Sequence, residues 1–294
     1  MQIPVYPDSR ALALDDKVLL DPLLGSLQPQ VSELTFAGLY LFMSAHRYRL
    51  ARIDESLIIL GRGYDGREYF LPPLGGDISA ALQVLFADGR ELYGADDAFA
   101  VNYLTGEDLQ VSEDRDSFDY VYLRDELASL PGNRFHKKKN RISYFSRRYD
   151  YRTEQYQDRH RDGCLVLLEE WRRSVVEADN PSLEAEVEAT AMALKLSGEL
   201  GLEGVVVLVA DSVKAFSLGE RLRNDTAVCH FEKADPFMEG LSQLVNREFS
   251  RMLFQDCRYI NREQDLGDQG LRSAKLSYHP VEMIRKYRAS RLVE

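Results

Sequence analysis

Apolar residues recur at helical spacing in several stretches of the chain, and short β-like runs lie between them. In the first half, helices are predicted over Asp15–Leu24, over Leu34–Met43 with Ser32 as its cap, and over Ile78–Phe86. Strands are predicted at Tyr48–Ile53, Leu57–Leu60, Glu68–Leu71 and Phe118–Leu123, with Arg62-Gly63-Tyr64-Asp65-Gly66 as a turn. In the second half, Tyr151–Tyr156, Gly204–Asp211, Lys214–Leu222, Ala227–Lys233 and Cys257–Asn261 read as strands. Amphipathic helices are predicted over Asp158–Val176 and Leu183–Leu200, broken at Asn180-Pro181, and over Glu239–Leu253. A short helix starts near Gly270.

The second-half order is therefore β, α, α, β, β, β, α, β, α. An antiparallel meander, then a helix, then one more strand is the plan of an acetyltransferase-type (GNAT-like) fold. The first half follows a looser version of it. The chain is thus predicted to be α/β (α+β), with two tandem GNAT-like lobes, residues 1–145 and 146–294. Each is a mixed, mostly antiparallel sheet flanked by helices. The length of 294 residues suits two lobes of ordinary size.

Composition narrows the class. Hydrophobic residues make up 45% and charged residues 29%, a globular mixture. A net charge of −11 argues against nonspecific coating of nucleic acid, though not against a local phosphate site. Cys164, Cys229 and Cys257 lie far apart without metal spacing and read as buried or half-buried thiols in a reducing cytoplasm. Neither a signal peptide nor a stretch of ~20 apolar residues is present, so the chain is predicted to be cytoplasmic.

Three segments carry candidate chemistry. The first is the basic run Asn133–Arg152, where Lys137, Lys138, Lys139, Asn140 and Arg141 sit among interleaved Phe and Tyr. Such a run inside an acidic chain suits a polyanion, the phosphates of a nucleotide-type donor or a tRNA arm, as well as a solvated face. The second is Val228–Asp235. Alternation in a strand points His230 and Glu232 one way, and Phe231 and Lys233 the other. Either a general base with an orienting group or a salt-bridge network would place these charges there. The third is Asn261–Tyr278. Asn261, Glu263 and Asp265 would share a side if the strand continued, Arg262 offers a rigid donor fork, and Lys275 and Tyr278 are helical neighbours.

Other chemistries lack their motifs. His230-x-Glu232 has no Pro-Cys-x-x-Cys partner for a zinc deaminase, and no metal site is predicted. Walker, Gly-x-Gly-x-x-Gly, Gly-x-Ser-x-Gly and His-Glu-x-x-His signatures are absent.

Several of these segments together resemble one family. They are Thr35-Phe36 with Leu39-Tyr40, the Leu71–Gly75 corner, Asp119–Tyr122, Gly132 through Lys138-Lys139-Asn140-Arg141, Phe231–Ala234, and Asn261–Gly267 with Lys275–Tyr278. They look like the phosphatidylglycerol lysyltransferase C-terminal-like family. The resemblance implies a tandem pair of acetyltransferase-type folds. Its characterised relatives move an aminoacyl group from a charged tRNA onto a lipid, and they are similar in plan to the peptidoglycan-bridge aminoacyltransferases. It implies an acyltransferase using aminoacyl-tRNA, or alternatively acyl-coenzyme A, as donor. The acceptor would be an amine or hydroxyl on a small molecule, peptide or lipid headgroup. In that reading Glu232, Lys233, Lys275 and Tyr278 are catalytic. His230, Asn261, Arg262, Glu263 and Asp265 bind substrate, and Lys137 to Arg141 hold donor phosphates. Enzymes of this fold that use acetyl-coenzyme A carry a glycine-rich turn before the central helix. Here the matching Ala234–Leu241 has one glycine and two acids. A noncatalytic binding protein on the same fold is the remaining alternative.

Overall fold

The computed structural model describes residues 2–174 and 181–292. The end of the predicted Asp158–Val176 helix and Asn180 lie outside the described residues. Among the described residues, fourteen strands form two sheets. In chain order they are β1 (Arg10–Ala11), β2 (Arg49–Ile53), β3 (Ser56–Arg62), β4 (Glu68–Phe70), β5 (Glu91–Ala95), β6 (Leu109–Glu113) and β7 (Asp119–Leu123). Then follow β8 (Tyr151–Gln155), β9 (Glu203–Val209), β10 (Ser212–Arg223), β11 (Thr226–Ala234), β12 (Tyr259–Asn261), β13 (Glu282–Ile284) and β14 (Tyr287–Arg291).

The first sheet has the order β1-β2-β3-β4-β5-β14-β6. Strands β2 to β4 form an antiparallel meander. The helix Ile78–Ala87 then carries the chain over to β5, which pairs parallel with β4. This helix starts where the Asp77 carboxylate accepts the N–H of Ala80. It buries Ala81, Leu82, Leu85 and Phe86 against Ile58, Phe70 and Leu92 of the sheet. Ser32 does not cap the second helix as predicted. That helix is Phe36–Leu41, and Thr35 caps it by accepting the Gly38 N–H. Ser32 is turned to the buried Asp119 instead.

The second sheet, β13-β7-β12-β11-β10-β9-β8, repeats the plan. Strands β8 to β11 are an antiparallel meander. Val205, Val206 and Val207 of β9 are fully buried, as an unbroken apolar run requires. The helix Leu241–Met252 leads to β12, which pairs parallel with β11 over only Thr226–Val228. Beyond that point β11 runs on to Ala234 while β12 ends at Asn261, so the two strands part.

Contacts divide the chain into two compact units. One is residues 1–119 with 264–269 and 283–294, and the other is 120–263 with 270–282. The predicted boundary at 145/146 falls inside the second unit. The reason is strand exchange: β7, from the first half, pairs β12 in the second sheet, and β14, at the chain's end, sits between β5 and β6 of the first.

Candidate functional site

The parting of β11 from β12 in the second unit organises the site. The strand alternation predicted for β11 holds. His230 and Glu232 reach the chain that follows β12, and Lys233 faces the opposite side. Glu232 accepts from Arg262 Nη2 at 3.2 Å and from Asn246 Nδ2 at 2.9 Å, both on its Oε2. The Arg262 guanidinium lies 5.1 Å from the Tyr278 ring centre and 5.8 Å from that of Tyr122. Lys138 Nζ sits 3.9 Å from the centre of the same Tyr278 ring and donates to Ser277 Oγ at 2.7 Å. Burial, aided by Arg262 and Arg141, pulls the Lys138 ammonium down to about 8. Burial holds the Tyr278 phenol above its ordinary value, so its hydroxyl stays a neutral donor. A carboxylate, two cations and two phenols thus converge where the strands separate.

Behind this group lies a bracing layer. His230 is buried and hydrogen-bonded to Glu263 at 2.7 Å and to Glu220 at 2.9 Å. Burial disfavours its charge, but the two carboxylates outweigh it and push the imidazole up to about 10. Lys275 donates from Nζ to the backbone carbonyls of Arg262 at 2.6 Å and Glu263 at 3.1 Å. It therefore fixes the turn that presents Arg262, and its own carbonyl accepts from the Tyr122 hydroxyl. Asn261, Glu263 and Asp265 do not alternate on an extended strand. The strand stops at Asn261, whose side chain accepts the Glu263 N–H, and Glu263 takes a left-handed φ of 55°. Asp265 is fully buried in the first unit, 3.3 Å from Arg115. Lys233 lies outside the group. It is buried, 2.5 Å from Glu186 and 3.7 Å from the Trp171 ring centre.

The basic run is the helix His136–Arg148, with Ile142 and Phe145 buried. Helical geometry spreads its charges around the axis. Lys138 and Arg141 act on the Tyr278 side, while Lys137, Lys139 and Asn140 are exposed. Lys139 caps the Gly132 carbonyl, and Asn140 meets His136.

Sequence reasoning missed two groups. One is Asn246, a polar residue that helical spacing sets one turn before the buried Phe249. That polarity beside an apolar stripe was the available signal. The other is in the first unit, where the fully buried Lys286 lies 2.7 Å from Asp119 and 2.5 Å from Glu33. Burial and Asp119 keep Glu33 above the usual carboxylate range against the pull of Lys286. Asp119 opens one of the segments that carry the resemblance, but nothing local links it to Glu33 or Lys286, which lie far apart along the chain.

An antiparallel meander, a crossing helix and a parallel fifth strand, occurring twice, define a tandem GNAT-type acyltransferase fold. The chain belongs to a family within that class: the model described as phosphatidylglycerol lysyltransferase, C-terminal, matches residues 25–290. A conserved protein of unknown function from Bacteroides thetaiotaomicron is similar in structure, with a TM-score of 0.88 and 29% identity over 99% of this chain and 100% of that one. L-PGS from Bacillus licheniformis shares the fold with a TM-score of 0.57 and 13% identity, over 90% of this chain and 94% of that one. An uncharacterized protein of Mycoplasmoides gallisepticum is 24% identical over 175 residues. That match covers 58% of this chain and about half of the curated relative, 55% of its length. Among the described residues no helix is long and apolar enough to cross a membrane.

Proposed function

We propose that this protein transfers an aminoacyl group from a charged tRNA to an amine or hydroxyl acceptor, with the second unit holding the reacting ester. The observation that supports it best is the Glu232–Arg262–Tyr278–Lys138 group at the parted strands. Donors there suit an ester carbonyl and a nearby phosphate, and the carboxylate suits an amine. In this reading Arg262 and Lys138 stabilise charge developing on the acyl oxygen. The Tyr278 hydroxyl protonates the leaving oxygen. Glu232 orients the attacking group or takes its proton, and Arg141 with the exposed Lys137 and Lys139 steers the polyanion. Lys275 and His230 act as positioning residues, and Lys233 ties its strand to the neighbouring helices.

A coenzyme A donor is disfavoured by the turn before the helix Leu241–Met252. Three of its amides are already engaged. The Phe237 N–H donates to Asp235 Oδ1, and the N–H groups of Met238 and Leu241 donate to the carbonyls of Asp235 and Met238. Amides that cradle a pyrophosphate must be open. A ligand present at ~100 times its dissociation constant adds ~2.7 kcal/mol of stability. Millimolar acetyl-coenzyme A is therefore expected to leave the melting temperature unchanged.

The direct assay incubates purified protein with a tRNA pool charged with radiolabelled amino acids and fractionated cell extract. Label is expected to move to one fraction, and Glu232→Gln is expected to slow that transfer about 10²-fold or more. Failure to label any fraction rejects the reading.

A further inference from the structure

The same group of residues is polarised, and the polarity specifies the acyl group. On one side are cationic donors. Lys138 makes no salt bridge among the described residues and donates to Ser277 Oγ, over the Tyr278 ring. On the other side are acceptors without donors. Asn246 is 3% exposed, and its Oδ1 is buried with no hydrogen-bond partner. Leaving such an oxygen unpaired costs ~1–3 kcal/mol. Its own Nδ2 is committed to Glu232 Oε2, which also receives Arg262. Both donors to that carboxylate thus crowd one oxygen, leaving Oε1 open.

A plain acyl group satisfies only the donor side. An aminoacyl ester carries a carbonyl for the donors and, one carbon away, an ammonium with three N–H bonds for the acceptors. Resting on the function proposed above, we infer that Asn246 Oδ1, beside the Glu232 carboxylate, seats the α-ammonium of the donor's aminoacyl group and makes Asn246 a specificity-determining residue, while Glu232 Oε1 stays open to the attacking group. The side chain of the amino acid plays no part in this selection.

Nitrous acid converts the α-amine of a charged tRNA to a hydroxyl, leaving its size nearly unchanged and removing the charge. Transfer rates are then compared for the untreated and the deaminated pool. The wild-type protein is expected to favour the aminoacyl pool at least tenfold, chiefly through the donor's KM. Asn246→Leu should cut that preference at least threefold, and Asn246→Asp, which restores an acceptor, should keep it. Urea midpoints of both variants establish that they fold, and if Asn246→Leu does not, the wild-type ratio and Asn246→Asp still decide. Transfer of both pools within twofold of one another overturns the ammonium seat but leaves aminoacyl transfer standing. Transfer from neither pool overturns the underlying function, and the seat with it.

Discussion

His230 shows how a residue can read as substrate-binding and yet be fully engaged by its own neighbours. Its ring is 1% exposed and bonded on both nitrogens to carboxylates, so no nitrogen is left for substrate. The folded imidazole keeps its proton up to about pH 10, whereas an unfolded one releases it near ~6.5. The folded chain therefore holds the extra proton between these values. The site's stabilisation is complete below ~6.5 and drains away as pH climbs toward 10. His230→Gln leaves Glu220 and Glu263 without their shared cation and is expected to cost roughly 3 kcal/mol near neutral pH. Urea unfolding at pH 6 and pH 9.5 checks both points: the wild type should lose more stability over that interval than the variant. The alternating residues of β11 were legible because a strand's period is fixed. Which of them bind substrate was not, because partners such as Glu220 and Glu263 come from other segments. The three cysteines are buried and free, as their scatter implied.

At the level of elements, apolar periodicity located the helix Leu241–Met252 and the strands β9 to β11 to within a few residues, since each buries a face large enough to mark the sequence. The helix His136–Arg148 was obscured. It buries only Ile142 and Phe145, and its charges read as a patch with no direction. Its position depends on a single glycine. Gly240, at a φ of 93°, precedes the helix Leu241–Met252, and a Cβ there would lie 2.0 Å from the Arg141 carbonyl oxygen. Gly240→Ala adds backbone strain to that clash and is expected to cost roughly 3 kcal/mol. It should also shift the helix that carries Lys138. A urea midpoint reads the first effect. The second should appear as a larger loss of donor affinity than of maximal rate.

At the scale of the molecule, the chain's last strand completes the sheet built by its first half, and Lys286, next to that strand, neutralises charges buried there. Lys286→Met removes the cation buried between Asp119 and Glu33 and is expected to destabilise the first unit by roughly 3–5 kcal/mol. Adding Asp119→Asn and Glu33→Gln should recover part of the loss. Amide hydrogen exchange in β5 and β6, which flank β14, measures it locally. The sequence by itself determined the fold class, the type and order of most second-half elements, and the segments that meet at the candidate site, because burial leaves a periodic trace and the motifs of Asn261–Tyr278 are distinctive. Only the tertiary structure decided that β7 and β14 change sheets, that Lys138 alone of its lysine run meets Tyr278, and that Lys233 and Asp265 lie elsewhere. A local pattern records that a side chain is buried or exposed. It carries no record of which distant segment meets that side chain, and the roles proposed for Glu232, Arg262 and Asn246 rest on such meetings.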